Sequence, residues 1–320
     1  MTSWVALLLV CLVAPDTESP GPPDKLQQPL AACQSAQVAP DATISACRAL
    51  LRFRGLDRGD LAATFFDLGR GYDLKGDIDH AIENYSAAIK LEPQFAWAYY
   101  NRGRLYYARG DYALAVADND AALRFGPDDA SALNNRGIAW LGEGNLGRAI
   151  ADFDGAIRLS PGLPAARYNR GFAYFRQSRF DAAVADFSEA LRLAPEDAGA
   201  LGARGAARLQ EREDRDAIED FDRAIAIEPG NAALYALRGA AWFDSGDSAR
   251  AIADFDHAIA LDPNDNDAFD RRGVAFETQG DHQRAIADFD RAIRLRPDDT
   301  RALNDRAVAW DEAARASPVP

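Results

Sequence analysis

The 320-residue chain is 48% apolar and 27% charged, a globular composition able to bury a large core rather than a disordered or fibrous one. Fifty acidic against 36 basic residues leave a net charge of -14, which repels phosphate backbones and anionic lipid, so nucleic acid is not expected as a partner. With three cysteines, three histidines and no CxxC or HExxH spacing, neither a metal nor a cofactor is expected.

The chain opens with an unbroken apolar run, Trp4 to Ala14, too short at 11 residues to cross a bilayer as a helix. It fits a secretory signal peptide over residues 1–19, although no Lys or Arg precedes it and proline follows both Ala14 and Ser19. Cys11 reads as a member of that run, because Val10 stands where a lipoprotein box needs a small residue. Five prolines between Pro15 and Pro29 make residues 20–29 a linker. Once the signal is removed, no membrane insertion is expected. The expected location is the periplasm or the exterior, with the cytoplasm as the alternative.

Residues 30–60 read as a helical hairpin, Leu30 to Gln37 and Asp41 to Phe53, turning at Pro40. Cys33 and Cys47 lie equally far from that turn. In an oxidising compartment they read as a disulfide, in a reducing one as two buried free thiols.

From here a period takes over. Pro93, Pro127, Pro161, Pro195, Pro229, Pro263 and Pro297 are each 34 residues apart. In the same register run Gly69, Gly103, Gly137, Gly171, Gly205, Gly239 and Gly273, and two alanine series starting at Ala81 and Ala88. Each period therefore holds two helices joined by a turn such as Lys75-Gly76-Asp77 or Gln279-Gly280-Asp281. The glycine of the first helix meets the alanines of the second, an aromatic (Tyr85, Phe153, Phe187, Phe221, Phe255, Phe289) fills the space beside them, and proline ends the second helix. Asn119 breaks the aromatic series, so looser packing is expected over residues 115–123.

The pattern Phe65, Leu68, Gly69, Tyr72, Ala81, Tyr85, Pro93 resembles the tetratricopeptide repeat family. The resemblance implies an all-α, right-handed superhelical solenoid of antiparallel helix pairs: seven repeats over residues 62–299, a capping helix over 300–315 and a tail over 316–320. The cysteine pair resembles the hairpin that precedes the repeats in exported bacterial members of the family.

One departure from the family pattern is systematic. Arg102, Arg136, Arg170, Arg204, Arg238 and Arg272 replace the expected leucine, and Asp118, Asp152, Asp186, Asp220, Asp254 and Asp288 accompany them in the second helix. Antiparallel packing brings each pair to one height, so charge pairing is expected, the alternative being a row of arginines that grips acidic ligands. Arg306 has no second helix of its own and is expected either to pair with Asp288 or to stay solvated.

The resemblance also implies a concave groove lined by first helices, and with it a non-enzymatic scaffold that holds a protein or peptide partner. The candidate lining is Phe66, Arg70, Trp97, Tyr100, Asn101, Arg104, Tyr107, Asn134, Asn135, Tyr168, Asn169, Phe172 and Phe175, passing to Asp267, Asp270 and Glu277 at an acidic end. The aromatics suit burial against a partner, and the asparagine amides can satisfy both the N–H and the C=O of an extended peptide. The family's carboxylate clamp finds Phe66, Arg70, Tyr100 and Asn134 at its positions, with no lysine, so a chaperone-type clamp is not expected. His80, His257 and His282 read as exposed, and the acidic stretch from Asp262 to Asp267 lacks the glycine and terminal glutamate of a calcium loop. The remaining readings are a structural subunit of an envelope assembly that binds through its convex face, and an enzyme accessory protein.

Overall fold

The computed structural model describes residues 30–34, 39–53, 55–126 and 129–316. The expected signal peptide with Cys11, the linker, Pro127 and all but the first residue of the tail lie outside the described residues. Within them the chain is helical, with no strand: α1 (30–34), α2 (Pro40–Leu51), α3 (Arg58–Leu74), α4 (Ile78–Leu91), α5 (Ala96–Arg109), α6 (Tyr112–Phe125), α7 (Ala130–Gly142), α8 (Leu146–Leu159), α9 (Pro164–Arg176), α10 (Phe180–Leu193), α11 (Ala198–Gln210), α12 (Asp214–Ile227), α13 (Ala232–Asp244), α14 (Ser248–Leu261), α15 (Asn266–Thr278), α16 (His282–Leu295) and α17 (Thr300–Ala316). The helices form two compact units, one reaching to Leu105 and one starting at Tyr106.

In the first unit α2 packs on α3 and α3 on α4, around Ile44, Cys47, Leu50, Leu68, Tyr72 and Tyr85. The Sγ atoms of Cys33 and Cys47 are 2.10 Å apart. Pro40 is not the turn of this hairpin. It is the first residue of α2, where its fixed φ suits a helix start and its missing N–H has no intrahelical acceptor to lose. Gly71 lets α2 come close, because a Cβ there would stand 2.9 Å from the Ile44 side chain.

In the second unit first and second helices pair as α7/α8, α9/α10, α11/α12, α13/α14 and α15/α16, and α17 packs on α16. Proline stands two residues beyond the last helical residue at Leu159, Leu193, Ile227, Leu261 and Leu295, as the period predicts. The glycine contact is equally regular. A Cβ on Gly137, Gly171, Gly205, Gly239 or Gly273 would lie 2.5 to 2.9 Å from the ring of Phe153, Phe187, Phe221, Phe255 or Phe289. Asn119, in place of that ring, is buried and donates its amide to the Ala115 carbonyl at 2.8 Å, a bond within its own helix.

The turns between paired helices need a left-handed residue, and Gly76, Gly144, Gly246 and Gly280 supply it at φ 77° to 89°. Two repeats use a side chain there instead, Ser178 at φ 58° and Arg212 at φ 64°. A non-glycine residue in this region costs on the order of 1 kcal/mol. Ser178→Gly should therefore raise the midpoint of thermal unfolding by a few degrees; an unchanged or lower midpoint would show the turn to be unstrained.

Candidate functional site

The arginine row is neutralised from within. Arg136, Arg170, Arg204, Arg238 and Arg272 each donate Nε and Nη2 to both oxygens of Asp152, Asp186, Asp220, Asp254 and Asp288, at 2.6 to 2.9 Å. Their third edge reaches the preceding repeat. Nη1 donates to Asp120, Asp154, Asp222 and Asp256 at 2.5 to 2.6 Å, and in Arg204 to the Ser188 hydroxyl at 3.1 Å. Hydrogen bonding to its aspartates raises the pKa of Arg136, as of Arg170 and Arg238, above the usual arginine value. These guanidinium groups stitch repeat to repeat and are not open to a ligand. The second aspartate stands two residues beyond the first and keeps the 34-residue period except at Ser188, but spacing alone does not show which arginine it meets. Arg306 follows neither expectation: it donates Nη1 to Asp290 at 2.6 Å, the preceding-repeat contact of every other rung.

The candidate lining divides by unit. In the first, Phe66 is half-buried against Phe95 at 4.9 Å between ring centroids, Arg70 pairs with Asp67 at 2.9 Å, and Arg104 pairs with Asp73. Trp97 remains 58% exposed, edge-on to the half-buried Tyr100 at 5.7 Å. Asn101 donates its amide to the Trp97 carbonyl of its own helix at 2.8 Å.

In the second unit the first helices α7 and α9 lie side by side. Asn169 on α9 donates to the side-chain oxygen of Asn134 on α7 at 2.9 Å, and the adjacent Asn135 Nδ2 is buried without a hydrogen-bond partner. Phe172 is 41% exposed and Tyr107 40%, while Phe175 stands against Phe180 at 5.4 Å. Tyr168 is half-buried beside Phe187, and burial, with the nearby Asp197 charge, pushes its hydroxyl pKa up. Exposed aromatic surface and side-chain amides thus share one face of α9.

The acidic end differs from expectation, because its members already have side-chain partners. Asp267 accepts from Arg271 at 2.6 Å, and Glu277 meets the ring of His282 at 2.7 Å, which makes His282 half-buried rather than exposed. Asp270 is buried and paired with Arg301, and burial raises its carboxyl pKa; it is not available at the surface. What opens here is a cleft of about 340 Å³ between α15 and α17, lined by Glu277, Asp305 and Glu312 with Val274 and Val308. Asp305, the sixth residue of α17, stands at the repeat position that Asn101, Asn135 and Asn169 hold. The neighbouring Asp262–Asp267 stretch spends Asp265 on capping α15 through the N–H groups of Asp267 and Ala268.

Family models described as tetratricopeptide repeats match residues 69–108, 120–164, 164–197, 215–266, 237–300 and 271–318. No curated protein matches the chain. Among solved structures, a tetratricopeptide repeat protein from Parabacteroides merdae ATCC 43184 is 21% identical with a TM-score of 0.60, covering 79% of this chain and 100% of that one. YrrB, described as a TPR protein with an unusual peptide-binding site, is 23% identical with a TM-score of 0.51 over 59% of this chain and 97% of its own. A chain of the APC/C hetero-tetramer Cut9-Hcn1 reaches a TM-score of 0.63 at 15% identity, covering 89% of this chain and 54% of that one. At these identities the likeness is one of fold.

Proposed function

Because this chain belongs to the tetratricopeptide repeat family, we propose that it is a non-catalytic scaffold whose first-helix faces hold an extended segment of a partner protein. The observation that carries this reading is the α9 face, where Phe172 is exposed between Tyr168, Phe175 and the Asn134–Asn169 amide pair. Apolar rings left in water on a regular helix are an unused driving force, and amides beside them supply the directional contacts that an extended backbone needs. The cleft between α15 and α17 favours basic residues in the same partner, through Asp305 and Glu312.

Pull-down from the native host with Phe172→Ala and Tyr168→Ala tests the reading. Each should weaken capture of the partner about tenfold, as loss of a buried aromatic anchor does. Full retention would move the site to the row of exposed apolar side chains Leu159, Ile227 and Leu261 at the ends of second helices, in keeping with a structural subunit.

We further propose that the protein works outside the cytoplasm, where Cys33 and Cys47 bond. Closing that loop contributes about 3 kcal/mol. Alkylation of freshly isolated protein should find neither thiol reactive, and reducing agent should lower the urea midpoint. Two reactive thiols in the native host would remove this part of the proposal.

A further inference from the structure

In every paired repeat of the second unit the second helix covers one face of the first, bringing a carboxylate to the arginine and a ring to the glycine. Helix α17 repeats the first-helix pattern, and among the described residues no helix follows it. The corresponding face shows half-buried Leu303, exposed Ala307 and Ala314, and Trp310 at 51% exposure. Arg306 sits on this face with one edge satisfied by Asp290 and its Nε buried without a hydrogen-bond partner. Its guanidinium carbon lies 4.5 Å from the centroid of the Trp310 ring.

Two chemical requirements follow for whatever covers this face. The first is a carboxylate. In the five complete rungs the Nε and Nη2 edge binds both oxygens of an aspartate, and a guanidinium fork with one edge unused favours a planar anion. The second is small size beside that carboxylate. The aromatic that follows each rung aspartate needs a glycine opposite, since a Cβ there would come within 2.9 Å of the ring, and α17 carries Ala307 at that position. Helices of the Asp-Phe type, including all those of this chain from α8 to α16, are thus excluded in that register.

We propose that the open face of α17 takes up a helix of a partner protein that presents an aspartate followed by a small residue, the carboxylate completing the free edge of Arg306. The packing has the geometry of an ordinary repeat, with Trp310 and Leu303 supplying the apolar contact. This site is separate from the first-helix face proposed above and stands or falls independently of it.

The test uses the full chain and three synthetic 14-residue peptides of the α16 sequence: unaltered, with F289A, and with F289A together with D288N. Titration calorimetry should find the F289A peptide binding at least about tenfold more tightly than either of the others. In the full-length Arg306→Gln variant the preference for aspartate over asparagine should vanish. Ala307→Gly supplies a gain of binding that a misfolded variant could not mimic: the unaltered Asp-Phe peptide should now bind as well as the F289A peptide or better. Equal binding of the three peptides, no binding by any, or preferences unchanged in both variants would overturn the proposal.

Discussion

Asp220→Ala is expected to destabilise the second unit by about 3 to 5 kcal/mol, the range for breaking a buried ion pair on one side only. Asp220 is 2% exposed and accepts three charged hydrogen bonds: Arg204 Nε at 2.9 Å, Arg204 Nη2 at 2.6 Å and Arg208 Nη1 at 2.7 Å. Removing it leaves the largely covered Arg204 with only the Ser188 hydroxyl at 3.1 Å, and Arg208 with the Asp216 carbonyl at 3.3 Å and Glu213 at 3.8 Å. Arg204→Ala should cost less, about 3 kcal/mol, because Arg208 still holds the carboxylate. Urea unfolding of both single variants and the double variant measures the coupling. The double variant should lie well short of the sum of the singles; simple additivity would mean that the two groups do not interact. The five rungs share this geometry, but only this one has a second arginine on the same aspartate and a serine, Ser188, in place of the preceding repeat's acid.

Phe153→Ala should also cost about 3 to 5 kcal/mol, the value for emptying a fully buried aromatic site. The ring lies against Gly137, where an added Cβ would stand only 2.5 Å from it, and with Ala149 and Leu141 forms the local core. Gly137→Ala alone sets two opposed effects against each other. The methyl improves helix propensity by about 1 kcal/mol and meets the ring at a distance that costs about 1 to 3 kcal/mol. The clash should win in the natural background and disappear when Phe153 is alanine. Gly137→Ala is therefore expected to change sign between the two backgrounds, read as the shift in urea midpoint. The same small loss in both would show that the glycine serves the helix backbone and not the contact.

The local alphabet of this protein is written plainly in its sequence. Pro93 through Pro297, the glycine and alanine series and the aromatic at one offset determine paired helices, their turns and the face on which they meet, because each of these contacts lies within a single 34-residue unit. The first aspartate of each rung was legible for the same reason: it stands as far from the turn as its arginine. What reached from one repeat to the next was decided only in three dimensions. The second aspartate, at Asp120, Asp154, Asp222, Asp256 and Asp290, binds an arginine of the following repeat, and which edge of the guanidinium it meets depends on the angle between successive helix pairs, which no spacing encodes. Asp270 shares that history. Its position put it on an open acidic face, whereas Arg301 from the next first helix covers and pairs it. Asn169 likewise donates one amide N–H to Asn134, 35 residues away. Periodicity specifies contacts inside the repeating unit because the helix and the turn fix those distances. Contacts between units follow from how closely two packed surfaces approach, and that is set by the shapes of all the side chains between them.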